Sequence, residues 1–169
     1  MDILYQSIVT RLQNEVPELL WIDMECGQLE FPEENYPVQF PALLIDISET
    51  QWSSVGNGVQ VGDVTVQIRV AFDIYEDTHA DAPDIETALQ RLQLMNKIHS
   101  KLHNFEGKIL PDGSDTHFNK MERIRTSSER RDDGLKVFTM LYTLNMRDQH
   151  AMPPRQGVNP NPVPVKVSI

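Results

Sequence analysis

The sequence predicts an α+β fold, a mainly antiparallel sheet of long hairpins with two helices packed against it. Three observations carry this. Residues Val64–Tyr75 alternate without a break, with Val64, Val66, Ile68, Val70, Phe72 and Ile74 on one face and Thr65, Gln67, Arg69, Ala71, Asp73 and Tyr75 on the other. Side chains alternate across a strand, so this is a half-buried strand with one apolar face. Residues 85–102 instead repeat at helical spacing. Two turn signals, Gly56-Asn57-Gly58 and Asp133-Gly134, each stand between extended stretches.

The elements follow in chain order. Residues 2–16 read as a helix, with Ile3, Leu4, Ile8, Leu12 and Val16 near one stripe and Pro17 at its end. Leu19–Met24 is a short apolar run suited to a strand, and Cys26–Glu30 is a turn and a return. Phe31–Pro41 holds three prolines and is a pinned loop whose aromatic residues cover a core edge. Ala42–Ser48 is a nearly continuous apolar run, a candidate central strand that Glu49–Trp52 extends. Residues 42–76 therefore form one long hairpin around Gly56-Asn57-Gly58.

An acidic turn, Glu76–Asp81, leads into a helix of about six turns. Asp81 is placed to cap it, and Pro83 and Asp84 suit its first turn. Its stripe is Ile85, Ala88, Leu89, Leu92, Met95 and Leu102, widened by Leu94 and Ile98. After a loop at Asn104–Asp115 comes a second hairpin, with a polar arm from His117 to Ser128, a turn at Arg130–Gly134 and an apolar arm. In that last arm Phe138, Met140, Tyr142, Leu144 and Met146 share a face. Residues 1–148 form a single domain. Residues 149–169, with Pro153, Pro154, Pro160, Pro162 and Pro164, form an extended arm, and its final Val163–Ile169 alternates like a strand, suited either to add to a neighbouring sheet edge or to remain a free tail.

The chain has 169 residues and a net charge of −10. The first sixty residues hold ten acids and only Arg11 as a base, a net of −9, while the remaining residues hold fifteen acids and fourteen bases, a net of −1. Nucleic-acid binding requires a basic face, so this asymmetry argues against it and favours an acidic surface meeting a basic protein surface. A single cysteine, Cys26, excludes an intramolecular disulfide, and its lack of a neighbouring base points to a buried structural thiol. The N-terminus lacks the basic and apolar regions of a secretory signal, and no apolar run reaches the roughly 18 residues that span a bilayer. A cytosolic site of assembly and no membrane partner are expected.

Catalytic and cofactor patterns are absent. There is no Gly-Lys-Ser/Thr phosphate loop and no Gly-x-Ser-x-Gly elbow. His99 and His103 stand one helical turn apart, but no acid or cysteine completes a ligand pattern, so a solvated helix face is the reading. Asp46, Asp73 and Glu76 could gather at one sheet end. The residues most suited to protein contact are Asn57 and Gly58 at one hairpin tip, and Arg123, Arg125, Arg130, Arg131, Asp132 and Asp133 at the other. No catalytic residue, metal or cofactor is assigned, and an assembly protein is favoured over an enzyme.

The order of these parts resembles the tail terminators (minor tail protein U type) of long-tailed phages. The likeness is carried by the N-terminal helix Ile3–Val16 and the loop Phe31-Pro32-Glu33-Glu34-Asn35-Tyr36-Pro37. It continues through the strand start Phe40-Pro41-Ala42-Leu43-Leu44-Ile45 and the strand end Val70-Ala71-Phe72-Asp73-Ile74-Tyr75. Arg130-Arg131-Asp132-Asp133-Gly134-Leu135, before the strand Val137–Met146, completes it. It covers residues 2–147, and the proline-rich arm from His150 departs from it. The resemblance implies a homo-oligomeric ring, typically of six copies, that caps the tail tube in the virion, ends its polymerisation and offers a surface for head joining. Its partners would be the tail-tube protein and a head-completion or connector protein, with assembly in the bacterial cytoplasm. The acidic N-terminal block and the Arg123–Arg131 region would be complementary surfaces between subunits. Alternatives are a head-to-tail connector (neck) protein, an injection-system adaptor or, from another class, a small-molecule binding module.

Overall fold

The computed structural model describes residues 1–34, 37–73, 79, 81–83, 85–108, 116–129 and 131–153. Helix α1 spans Asp2–Glu15, followed by strands β1 (Trp21–Met24), β2 (Ala42–Gly56) and β3 (Val59–Asp73). Helix α2 (Ile85–Leu102) comes next, and β4 (Gly107–Lys108), β5 (Thr116–Phe118), β6 (Glu122–Glu129) and β7 (Leu135–Asp148) complete the order. The strands form one seven-stranded sheet in the order β1-β2-β3-β7-β5-β4, with β6 also paired to β7. All the pairings are antiparallel except β1 with β2. A parallel pair needs a crossover connection, and the loop from Glu25 to Pro41 supplies it. The α+β fold expected from the sequence is the one observed.

The alternation in β3 decides how the sheet is covered. Val64, Val66, Ile68, Val70 and Phe72 turn to one face and are buried there, together with Leu43 and Ile45 of β2 and Met140, Tyr142, Leu144 and Met146 of β7. Both helices cover this face. From α1 come Leu4, Ile8 and Leu12, with Val16 just beyond its end; from α2 come Leu94, Met95, Ile98 and Leu102. Each such side chain contributes about 1.5–3 kcal/mol on leaving water, so these ridges fix both helices to the sheet. The helices are further joined by Lys101 to Glu15 at 2.7 Å, and Lys97 of α2 holds Glu18, just past α1, at 2.6 Å.

The opposite face of the sheet carries a smaller buried cluster at one end. Leu29, Ala42, Leu44, Ala71 and Val137 form a small cluster there, packed by Trp21, Val38 and Phe40. Of the proline-pinned loop, Val38 and Phe40 pack over this core edge as expected, whereas Phe31 is 59% exposed and Tyr36 lies outside the described residues.

Four expectations need correction. The α2 stripe is rotated, because Leu89 and Leu92 are about half exposed while Leu94 and Ile98 reach the core. The helix is also shorter than six turns, since its 18 residues begin at Ile85. The polar arm before β7 is two strands, β5 and β6, separated by Met121, which is fully buried under α2's end. Its amide donates to the carbonyl of Phe105 (2.8 Å), and its own carbonyl accepts from Asn104. Cys26 is exposed in the turn after β1 and is not the buried thiol expected. Ile74, Tyr75, Glu76 and Arg130, and the arm beyond Pro153, lie outside the described residues.

Candidate functional site

The tip of the β2–β3 hairpin is built from three successive residues with positive φ, Gly56 (101°), Asn57 (51°) and Gly58 (73°). Asparagine is among the few residues with a side chain that tolerate this region, which is why it can stand between two glycines. Asn57 is exposed, whereas one side of Gly58 is closed by the chain at Ala151. A Cβ on Gly58 would overlap the carbonyl oxygen of Ala151. The chain leaving β7 therefore folds back against the tip, in a short turn closed by Met152 N–H donating to Gln149 O at 3.0 Å.

The β6–β7 tip is organised differently. Asp133 receives the guanidinium of Arg131 (Nε to Oδ1, 3.1 Å) and the amide of Leu135 at 3.2 Å. The hydrogen bond from Arg131 holds the Asp133 carboxyl below the usual carboxylate range. Gly134, at φ 80°, closes the turn, and Asp132 points to solvent.

Arg131 also reaches away from its own turn. Its Nη1 lies 3.1 Å from Glu30 Oε1, and its Nη2 donates to the Leu29 carbonyl at 2.9 Å. Glu30 in turn meets Arg69, which rises from the middle of β3 on the face opposite the helices. Arg69 holds Glu25 and Glu30 at 2.7 Å each and Glu129 at 3.2 Å. Burial alone would make the Arg69 guanidinium easier to deprotonate, but its bonds to Glu30 and Glu25 more than reverse this. The same hydrogen bond from Arg69 lowers the Glu30 carboxyl, against the opposing effect of burial. Two cations and four carboxylates from the 25–30 turn, β3, β6 and the β7 tip thus form one network. Each carboxylate has a cation, so the network is a clamp and offers no activated acid, base or nucleophile.

Its position bears on the charge split in the sequence. Of the ten acids in the first sixty residues, Glu15, Glu18, Glu25 and Glu30 are paired within the chain. Among the described residues Glu33, Glu34, Asp46 and Glu49 have no cation within ion-pair distance. Arg131 faces inward to this network, whereas Arg123 and Arg125 stand on β6, which is exposed from Glu122 to Ser128. Arg123 Nη1 lies 3.9 Å from Met140 Sδ. Sequence reasoning missed Arg69, Glu25, Glu30 and Glu129. The one signal was a lone arginine inside a strand otherwise rich in valine and isoleucine.

The histidine pair is part of the core's rim. His99 Nδ1 is 3.2 Å from the hydroxyl of Tyr142, the His99 and His103 rings are 5.0 Å apart, and the Arg123 amide lies 3.4 Å from His103 Nδ1. Burial, then the nearby Arg123 and His103, push the His99 pKa below its ordinary value. Among the described residues no three histidine, cysteine or acidic side chains gather as a metal site. Asp46 and Asp73 do not meet, since Asp46 sits opposite Gln67 and Asp73 opposite Leu135, at different levels of the sheet. A cleft of about 530 Å³ opens beside α2 over Phe72, Leu94 and Pro41, with the Glu18–Lys97 pair on its rim; neither His99 nor His103 lines it.

No family model matches the chain, and no curated protein matches it. The fold does have a solved counterpart. It is similar to a chain in a structure titled "Virion of native gene transfer agent (GTA) particle", with a TM-score of 0.53 over 86% of this chain and 95% of that one. The two sequences are 6% identical, so the likeness is one of fold.

Proposed function

We propose that the chain is a structural subunit of a phage-like particle, and within it a tail terminator that assembles as a homo-oligomeric ring on the end of the tail tube. The observation that carries this reading is the fold likeness to a chain of the gene transfer agent virion, which takes in nearly the whole of both chains. The clamp around Arg69 supports a structural role, because it uses charged groups to fix loops in place. The exposed β6 strand, which carries Arg123 and Arg125, and the exposed Leu89 and Leu92 on α2 supply surfaces of the kind subunit contacts need. Asn57, Asp132 and the Arg130 position remain candidate contact points at the hairpin tips.

The ring acts by surface complementarity. One face copies the next ring of the tube, and the other refuses a further tube subunit and receives the head-completion or connector protein. No bond is made or broken, and no cofactor is needed.

Light scattering across a range of concentration and salt tests the ring. Six chains of 19.4 kDa give about 116 kDa. A mass approaching this value supports the ring, and Arg123→Glu with Arg125→Glu should lower it. Binding to purified tail-tube protein separates a terminator from a neck protein or an injection-system adaptor. A strict monomer that ignores tube protein would overturn the proposal.

A further inference from the structure

The outer edge of β2 is long and poorly defended. β1 pairs only with Ala42–Ile45, so among the described residues the backbone edge of Asp46–Gly56 has no strand beside it. Natural edges are usually blunted by charge, proline or short length. β6 follows that rule, with Glu122, Arg123, Arg125 and Glu129 in eight residues. The β2 edge carries no charge after Glu49, and both Trp52 and Val55 are exposed on it.

The same chain carries a segment suited to cover such an edge. The turn at Gln149–Met152 brings the chain to the hairpin tip, against Gly58 and beside the end of β2. Sixteen residues follow Pro153, and the last seven are Val163-Pro164-Val165-Lys166-Val167-Ser168-Ile169. Residues 149–169 hold Arg155 and Lys166 and no acid, while the uncovered edge holds Asp46 and Glu49.

We propose that Val163–Ile169 of one copy adds as a strand to the Asp46–Gly56 edge of a second copy. This rests on the reading of the chain as a ring subunit and names the contact that links neighbours. Pro164 has no N–H to give, so its nitrogen must face away from the ladder. In an antiparallel pair that leaves Val163, Val165 and Val167 to make the backbone bonds. The face of β2 that carries Thr50 and Trp52 can then receive the valines, since Trp52 already lies across Gly62 of β3 on that side. Lys166 falls on the other side, with Glu49. The donor is a second copy because Met152 and Pro153 each precede a proline and so favour extended backbone over a tight reversal. Nine residues separate Pro153 from Val163, a length that at about 3.1 Å per extended residue allows a reach of roughly 28 Å to a neighbour.

The test uses two full-length chains, each with Cys26→Ser, one with Ser53→Cys and the other with Val167→Cys. They are mixed and treated with a short bismaleimide. A cross-linked heterodimer at least fivefold stronger than a Thr10→Cys control in place of Ser53→Cys is expected. Val163→Asp with Val165→Asp in the arm should return the band to the control level. A band no stronger than the control overturns the inference, as does a chain bearing both cysteines that cross-links only within itself. Light scattering on the same samples separates the two readings. A ring-sized mass without the cross-link leaves the ring standing and removes the arm; a monomer without the cross-link removes both.

Discussion

Replacing Arg69 with methionine tests the charge clamp most directly. The Arg69 side chain is 9% exposed and Glu25 15%, whereas Glu30 and Glu129 are 37% and 39% exposed. Breaking a buried pair by removing one partner costs about 3–5 kcal/mol, and solvent reduces the share of exposed partners. Glu25 then dominates, because Glu30 keeps Arg131 at 3.1 Å. Methionine fills much of the space, so the expected loss is about 2–4 kcal/mol, or roughly 4–16 °C in Tm. Urea unfolding followed by tryptophan fluorescence measures it, and Glu25→Gln completes a double-mutant cycle whose expected coupling is about 1–3 kcal/mol. The dependence on pH carries a second sign. Glu30 has a folded pKa below its ordinary 4.5, so its contribution is present above pH 4.5 and lost as pH falls through the lower folded value. Wild type should lose stability on acidification more steeply than Arg69→Met. A loss below about 0.5 kcal/mol, the range of ordinary surface substitutions, with parallel pH profiles, would refute the clamp.

Other substitutions probe the rest of the structure. Gly58→Ala should cost about 2–3 kcal/mol, from positive φ plus the clash with the Ala151 carbonyl, and should expose 149–153 to protease; Gly56→Ala, with open space around it, should cost only about 1 kcal/mol. Ile98→Ala should cost about 2–4 kcal/mol in chemical unfolding and Leu92→Ala under about 1 kcal/mol; equal losses would reject the observed face of α2. Burial pushes the Tyr142 hydroxyl up to about 12, partly opposed by Arg123, and also raises Tyr5, so Tyr142 should be the last described tyrosine to ionise in an ultraviolet titration. Its folded pKa lies above the ordinary 10.0, so this contribution is full below pH 10 and lost between about 10 and 12. Tyr142→Phe should flatten that alkaline limb.

What could be read in the sequence was what local spacing determines. The alternation of β3 and β7, the three-turn stripe of α1 and both glycine turns belong to neighbouring residues, and each is observed. The orientation of α2 was harder to read. Its apolar residues spread over more than half the helix circumference, and only packing against Val66, Ile68 and Tyr142 selects Leu94 and Ile98 over Leu89 and Leu92. The clamp could not be read locally at all, since Arg69 finds carboxylates 39, 44 and 60 positions away. No spacing rule reaches that far. The expected pairing of the acidic block with the Arg123–Arg131 region between subunits meets a contact within the chain, where Glu30 already holds Arg131.

The place of β7 in the sheet has a consequence for synthesis. It is the partner of β3 along fourteen residues, from Gln60↔Asp148 to Asp73↔Leu135. About sixty residues separate the end of β3 from the start of β7. At about 5–20 residues per second, a ribosome needs roughly 3–12 s to deliver the missing strand. Throughout that interval the β3 edge of the β2–β3 hairpin lacks its strand, while β1 covers the β2 edge only at Ala42–Ile45. The chain made by the time Glu86 is added carries a net charge of −15, against −10 for all 169 residues. Until β7 arrives, the backbone groups of β3 that it will pair stay without their partners, so the sheet can close only when the last strand has been made.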